Sequence, residues 1–221
     1  MKKIMFNDKY GLTRAVLEVR KTQTRRLSTF TLHEGDLQSE LTQVYPDEIF
    51  MCGGKWFFKY KGKVYHLPKE NYPKFKVGEI VAIAQSYKNI GYQPTDKTTI
   101  IKGGKIEFIE FQEHKGWNNK MFVSCENMLH FIRITNVRIE RLQDISDEDC
   151  LAEGIEYDGK AKQFYCGFNK STNSKIWMGS APREAYAALI DKVGKKGDWD
   201  KNPYVFVYDF KLNRFNKWKR L

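Results

Sequence analysis

Short β-prone runs separated by turn residues account for much of this chain, and they restrict it to folds rich in strands. Residues 204–212 form the strongest run, because aromatic and β-branched side chains favour extended backbone. Residues 80–84 are continuously apolar, which is typical of a strand buried on both faces. Residues 131–142 alternate apolar and polar side chains with a one-residue slip near Asn136, which predicts a long strand with a bulge or a junction. Residues 3–6 predict a short first strand.

Two further pairs of runs predict β-hairpins. Residues 55–60 and 63–67 are rich in aromatic side chains and meet near Gly62. Residues 98–111 contain two β-prone runs around Gly103 and Gly104, and two glycines between such runs favour a tight hairpin turn.

Three helices are predicted between these strands. The first follows Asp8, a candidate cap, and the second runs from Ser146 to Gly154, with Ser146 able to bond free backbone N–H groups. The third begins near Pro182 and ends at Gly194. The predicted apolar faces are Leu12, Ala15, Val16 and Val19 in the first helix, and Tyr186, Leu189, Ile190 and Val193 in the third. Because strands outnumber helices without regular βαβ alternation, the sequence predicts an α+β protein with a mainly antiparallel curved sheet or barrel.

Length and composition are compatible with one globular domain. The chain has 221 residues, of which 41% are hydrophobic, and no run of apolar residues is long enough to cross a membrane. The four cysteines form no CxxC or Cys/His cluster, so we expect reduced thiols, no disulfide framework and no metal site. We therefore expect a protein of the cytoplasm that needs no metal or organic cofactor; the sequence predicts no oligomeric state.

An excess of basic residues favours polyanionic partners or a phosphate-bearing substrate. Lysine and arginine number 38 against 27 acidic residues, a formal net charge of +11. Such a charge attracts phosphates over a long range and releases counterions on binding. The basic and aromatic tail, with Lys217 and Lys219, is a candidate contact for nucleic acid, although a solvated terminus explains the same composition.

The basic segment after the first helix contains the main candidate for chemistry. Lys21 and Thr24 lie three residues apart, and a lysine with a lowered pKa can take the proton of a threonine hydroxyl. Arg20, Arg25 and Arg26 could supply the positive field that lowers this pKa. A solvated basic patch at a helix end is the alternative interpretation of the same pattern.

Residues 19–26 resemble the GxKxxxxR signature of the ASCH domain, a family with a PUA-like β-barrel, with Val19 at the usual glycine. Residues 77–81, 134–146 and 202–210 are similar to the family's later strand and turn segments. These segments follow one another along the chain in the family's order. The resemblance implies one PUA-like domain over residues 1–221, like the longer ASCH proteins of phages and prophages. Its insertions would lie at about 36–70, 91–125 and 156–200.

Bacterial N(4)-acetylcytidine amidohydrolases of this family use a lysine, a threonine and a later glutamate, and Lys21, Thr24 and Glu153 occupy the matching positions. The resemblance therefore implies hydrolysis of an acyl group from the exocyclic amine of cytosine, in a bacterial or phage-infected cell. The implied partner is a modified nucleoside or nucleotide, with RNA or DNA as a further candidate. The other implied contacts are Arg20, Arg26, Gln85 and Tyr87 for substrate, and Arg25, Lys217 and Lys219 for nucleic acid. Gln85 stands where related longer proteins commonly carry a glutamate.

Two other functions remain open from the sequence. The charge and the basic tail favour a module that binds RNA or modified DNA without catalysis. A nuclease is the third possibility, and it would need a proton acceptor near a phosphate and usually a metal ion.

Overall fold

A five-stranded sheet with three short helices and several smaller sheets forms the computed structural model of this chain. The α+β class expected from the sequence is confirmed. The residues that the structure describes are 1–27, 30–33, 41–44, 46–102, 104–169 and 171–213.

The central sheet combines one parallel and three antiparallel strand pairs. In spatial order its strands are β1 (Lys3–Ile4), β8 (Ile80–Ile83), β11 (Phe131–Arg141), β15 (Tyr204–Asn213) and β2 (Gln23–Leu27). Only β1 and β8 are parallel. The register of β11 against β15 shifts between Ile134 and Asn136, which confirms the bulge predicted near Asn136.

The expected barrel is not closed in the part of the chain that the structure describes. Strands β1 and β2 form the two edges of the sheet and do not pair with each other. One side-chain contact joins the edges: the Arg26 guanidinium on β2 donates to the carbonyl oxygen of Met5, just after β1, at 2.6 Å. The sheet is therefore curved and open rather than a continuous hydrogen-bonded cylinder.

The remaining strands form small antiparallel sheets, and they confirm both predicted hairpins. Most of them lie within the segments expected to be insertions. The sheets consist of β3 (Phe30–His33) with β4 (Leu41–Val44); β5 (Glu48–Cys52), β6 (Lys55–Tyr60) and β7 (Lys63–His66); β9 (Lys97–Lys102) with β10 (Lys105–Glu110); and β12 (Glu156–Asp158), β13 (Gln163–Phe168) and β14 (Lys175–Gly179). Short 3₁₀ helices span Lys69–Asn71, Tyr87–Ile90, Phe111–Glu113, Lys120–Phe122, Cys125–Asn127 and Leu142–Asp144.

Three α-helices flank the central sheet: α1 (Leu12–Leu17), α2 (Asp147–Ala152) and α3 (Pro182–Val193). The Ser146 hydroxyl accepts the Asp149 N–H at 3.1 Å, which confirms the predicted cap of α2. The predicted Asp8 cap of α1 is wrong, because Gly11 is the N-cap residue and no side chain caps the helix. Asp8 instead accepts hydrogen bonds from Thr13 at 2.5 Å and Lys120 at 2.8 Å.

The end of α1 places a valine in a backbone conformation that usually requires glycine. The N–H groups of Val19 and Arg20 donate to the carbonyl oxygens of Val16 and Ala15, at 3.0 and 2.9 Å, which is the Schellman pattern of helix ends. Val19 has a φ of 62° and a 50% exposed side chain, so it is not part of the buried helix face predicted for it. A β-branched residue in this left-handed region is sterically strained.

No helix of the described residues is long and apolar enough to cross a membrane.

We expect Val19→Gly to stabilise the protein by about 1 kcal/mol, because glycine adopts the left-handed conformation without a steric penalty. Urea denaturation followed by circular dichroism measures this change. Arg14→Gly is the matched control, since Arg14 lies in α1 with a 74% exposed side chain, and it should destabilise by about 1 kcal/mol. A Val19→Gly variant less stable than the parent would contradict the strain.

Candidate functional site

The segment after α1 is tied by its backbone to the end of α2. The Lys21 N–H donates to the carbonyl oxygen of Ala15 at 3.0 Å, which continues the helix end into the next turn. The Thr22 N–H donates to the carbonyl oxygen of Ala152 at 2.9 Å, and Ala152 is the last residue of α2. These two bonds bring Lys21 beside Glu153 although 132 positions separate them in the sequence.

Gly154 allows α2 to end in close contact with this segment, and the helix end predicted there is confirmed. Its φ is 102°, and a Cβ atom at this position would lie 3.3 Å from Leu12 and 3.5 Å from the Cβ of Lys21. Any larger residue would therefore meet both a backbone penalty and a crowded neighbour. The preceding residue, Glu153, is the C-cap of α2 and faces Lys21.

Lys21 and Glu153 form an ion pair that is almost fully removed from solvent. The Lys21 ammonium donates to the Glu153 carboxylate at 2.5 Å and to the Glu153 backbone carbonyl at 2.7 Å. Their side chains are 2% and 5% exposed. Burial lowers the pKa of Lys21, and the charge and hydrogen bond of Glu153 oppose this effect only in part. The neutral amine form therefore costs less free energy for Lys21 than for a lysine on the protein surface.

The three residues that the resemblance assigns to catalysis line one cavity of about 290 Å³. Thr24 is buried and lies on β2 opposite Tyr208. Strand alternation places Thr24 and Arg26 on the same face of β2. Helix α3 contributes Tyr186, Leu189, Ile190 and Val193 to the lining of this cavity. We call this space the Lys21 cavity.

Arg25 holds Glu153 from the other side. Its guanidinium has no exposed surface and lies 3.3 Å from Glu153, 2.5 Å from Glu140 and 2.7 Å from Asp149. The ring of Tyr186 lies 6.0 Å from this guanidinium. Arg25 thus contacts three carboxylates inside the protein. Because its side chain is buried, this position does not fit the nucleic-acid contact expected of it.

An outer group of polar residues completes this network, and sequence reasoning missed it. Arg138 on β11 bonds Glu140, Asp149 and Asp209 at 3.0, 2.8 and 2.8 Å. The Gln23 amide donates to Asp149 and Asp209 at 3.1 and 2.6 Å. Although burial raises the pKa of Asp149, the hydrogen bonds from Arg25 and Gln23 bring it below the ordinary value.

A signal for this network was present in the strand alternation. Arg138 and Glu140 are two residues apart on β11, as are Gln23 and Arg25 on β2, so each pair shares one face of its strand. Charges of both signs on one face of a sheet indicate cross-strand ion pairs. The sequence could not indicate which strands are neighbours.

Arg25 and Arg26 also line the Lys21 cavity, whereas the predicted site residues Arg20, Gln85 and Tyr87 do not. Arg20 and Gln85 line a different cavity of about 580 Å³, where Arg20 pairs with Glu18 at 2.6 Å and Glu156 at 2.8 Å.

The side chain of Gln85 is 3.1 Å from the His130 imidazole, whose pKa burial lowers. Tyr87 packs among Tyr92, Phe111 and His114. Lys217 and Lys219 are outside the described residues. Within the described ranges, no group of three or more His, Cys, Asp and Glu side chains could hold a metal ion.

No family model matches this chain, and comparisons with curated proteins and with solved structures give no match either.

We expect Glu153→Leu to destabilise the protein by about 3 kcal/mol or more, because it leaves the Lys21 ammonium and the Arg25 guanidinium buried beside an apolar group. Glu153→Gln is the matched variant and should cost less, since its amide oxygen still accepts a hydrogen bond from Lys21. Chemical denaturation at neutral pH compares the two. Equal stability of Glu153→Leu and the parent would show that the pair is not structurally required.

Proposed function

We propose that this protein is a hydrolase that removes an acyl group from the exocyclic amine of a modified cytosine nucleoside or nucleotide. One observation carries the proposal: Lys21, Thr24 and Glu153, the residues that match the ASCH-type amidohydrolase pattern, line a single cavity. The buried pair of Lys21 and Glu153 supplies the proton acceptor and donor that amide cleavage needs.

The first step is attack of the Thr24 hydroxyl on the amide carbonyl. A proton moves from the Lys21 ammonium to the Glu153 carboxylate along the 2.5 Å contact, which leaves a neutral amine and a carboxylic acid. The amine then accepts the Thr24 proton as the oxygen forms a bond with the carbonyl carbon, giving a tetrahedral intermediate. Low exposure of the pair favours this neutral form, since burial penalises separated charges.

The second step releases the cytosine amine. An amide anion is a very poor leaving group, so the exocyclic nitrogen must gain a proton as its bond to the acyl carbon breaks. The protonated Glu153 donates this proton, and the acyl group stays on Thr24 as an ester. Water then attacks the ester, with the pair again accepting and donating protons, and the free acid leaves. Every proton is accounted for without a metal ion or an organic cofactor.

The dimensions and walls of the Lys21 cavity suit a small planar substrate. Its volume of about 290 Å³ is near the lower end of the range for ligand pockets, roughly 300 Å³. The apolar side chains of α3 can contact a base and a short acyl chain, and Lys21 and Glu153 supply polar groups. This combination of polar and apolar side chains suits a neutral acylated base.

The proposal includes a PUA-like origin for the central sheet, in an ASCH-type protein with large insertions that acts in the cytoplasm of a bacterial or phage-infected cell. The curved five-stranded sheet and the position of Lys21 between α1 and β2 support this origin. Helix α3, which lines part of the Lys21 cavity, lies in the third predicted insertion.

We expect Thr24→Val to reduce release of acetate from N(4)-acetylcytidine by about 1,000-fold or more, because valine keeps the branched shape but lacks the nucleophile. Chromatography of cytidine and acetate measures the reaction. Thr24→Ser should retain measurable turnover, since it keeps the hydroxyl. Lys21→Met and Glu153→Gln should also lose turnover.

The same variant separates the proposed hydrolase from the two alternatives. A binding module would show no turnover in the parent and would bind RNA with an affinity that falls steeply with salt and is unaffected by Thr24→Val. A nuclease would shorten an RNA or DNA strand. Full acetate release by folded Thr24→Val would refute the role of Thr24 as nucleophile.

We expect the Lys21 pKa to be below the ordinary lysine value of 10.5, because burial outweighs the effect of Glu153. The proposed steps need the one proton that the Lys21–Glu153 pair shares, and deprotonation of Lys21 removes it. The specificity constant kcat/KM should therefore fall as pH rises through the Lys21 pKa, and the fall should be centred below 10.5. A ¹³C NMR titration of the Lys21 Cε measures the same group directly. Glu153→Gln should lower this pKa further, since it removes the charge that raises it; an upward shift would contradict the assigned pairing.

A further inference from the structure

The three arginines that follow α1 differ in their partners. Arg20 pairs with Glu18 and Glu156, and Arg25 pairs with three carboxylates. Within the described ranges, Arg26 makes one hydrogen bond, to the carbonyl oxygen of Met5, and its guanidinium lies 5.7 Å from the centre of the Phe6 ring. Among the described residues, no carboxylate forms a salt bridge with Arg26. Its charge is therefore available to an external anion.

Arg26 and Met5 form a shared wall between the Lys21 cavity and a second cavity of about 270 Å³. We call the second space the Arg26 cavity; it is lined also by Tyr72, Lys74, Phe75 and Tyr208. The described residues around it include three basic side chains and no Asp or Glu. A concave space with this charge attracts an anion.

Lys74 supplies the second available charge of the Arg26 cavity. Its side chain is exposed, and its ammonium lies 5.7 Å from the centre of the Phe75 ring. The third basic residue, Lys3, is already occupied, because its ammonium donates to the carbonyl oxygens of Met121 at 2.6 Å and Val123 at 2.8 Å. Two cations, one of them a planar guanidinium, match the charge and geometry of a phosphoryl group.

We propose that the Arg26 cavity binds a phosphoryl group of the substrate while the base of the same molecule occupies the adjacent Lys21 cavity. This inference rests on the proposed function for the identity of the base, and it makes a nucleotide, rather than a free nucleoside, the preferred substrate. A phosphate contact by Arg20 or Arg25 is disfavoured because carboxylates already neutralise both guanidinium groups. The partly buried setting of Arg26 strengthens a charged hydrogen bond to phosphate.

Calorimetric titration with cytidine 5′-monophosphate and with cytidine tests the phosphoryl site without any turnover. We expect the parent to bind the nucleotide about tenfold or more tightly than the nucleoside, the effect of at least one charged hydrogen bond. Arg26→Gln should bring this affinity ratio close to one. Lys74→Ala, at an exposed position that folding tolerates, should lower the ratio several-fold.

Matched controls use basic residues that line neither cavity. Arg133 also donates to one backbone carbonyl, that of Gly78 at 3.1 Å, so Arg133→Gln removes a similar charge from an exposed strand position. Lys76 lies two residues after Lys74 and is exposed, which makes Lys76→Ala the control for the second variant. Neither control should change the affinity ratio. If the controls lowered the affinity ratio as much as the cavity variants do, the preference for nucleotide would come from net charge, and the proposed phosphoryl site would be refuted.

Acetate release from N(4)-acetylcytidine, its 5′-monophosphate and an RNA trinucleotide with a central N(4)-acetylcytidine distinguishes the two proposals. A ratio that depends on Arg26, without hydrolysis of any of these, would support the phosphoryl site and refute the hydrolase. Hydrolysis by a parent protein that binds cytidine 5′-monophosphate and cytidine equally tightly would support the hydrolase and refute the phosphoryl site. A higher kcat/KM for the monophosphate than for the trinucleotide assigns the site to a terminal phosphate, and the opposite order assigns it to a phosphodiester.

Discussion

The buried ion pair of Lys21 and Glu153 is the interaction on which the arrangement of this protein depends. An ammonium group removed from water costs several kcal/mol unless a carboxylate and further acceptors replace its hydration. Glu153 supplies both the carboxylate and a backbone carbonyl oxygen to Lys21. This double contact requires the ends of α1 and α2 to meet closely, and Gly154 provides the space for that approach.

The network around Arg25 extends this constraint to the central sheet. Glu153 lies between two cations, and Arg25 in turn bonds Glu140 from β11 and Asp149 from α2. Such a network is stable only when each buried charge has its partners, so a displacement of one element leaves charges uncompensated elsewhere. The strand register and the geometry of the Lys21 cavity are therefore coupled. For the proposed reaction, a pair held in this way is preorganised before substrate binds.

Local signals predicted local structure well, whereas contacts between distant segments were beyond them. Ser146, Gly154 and the slip near Asn136 each act within a few residues, and the structure has the cap, the helix end and the bulge. The cap at Asp8 was wrong because its carboxylate bonds the distant Lys120. Val19 has the spacing of a buried helix residue, but the backbone has already left the helix there. Closure of the barrel likewise depends on whether the two edge strands pair with each other. The hydrophobic periodicity of a single segment carries no information about that pairing.

The packing of α3 connects the fold to the chemistry of the Lys21 cavity. Its apolar side chains exclude water from one side of the cavity, and a low local dielectric narrows the energy gap between the charged and the neutral forms of the pair. Water admitted by a poorly packed α3 would stabilise the separated charges and leave Lys21 protonated. In the proposed reaction, helix α3 would therefore act through the protonation state of Lys21, in addition to any contact with the base. The segment predicted as an insertion thus determines both the shape and the basicity of the candidate site.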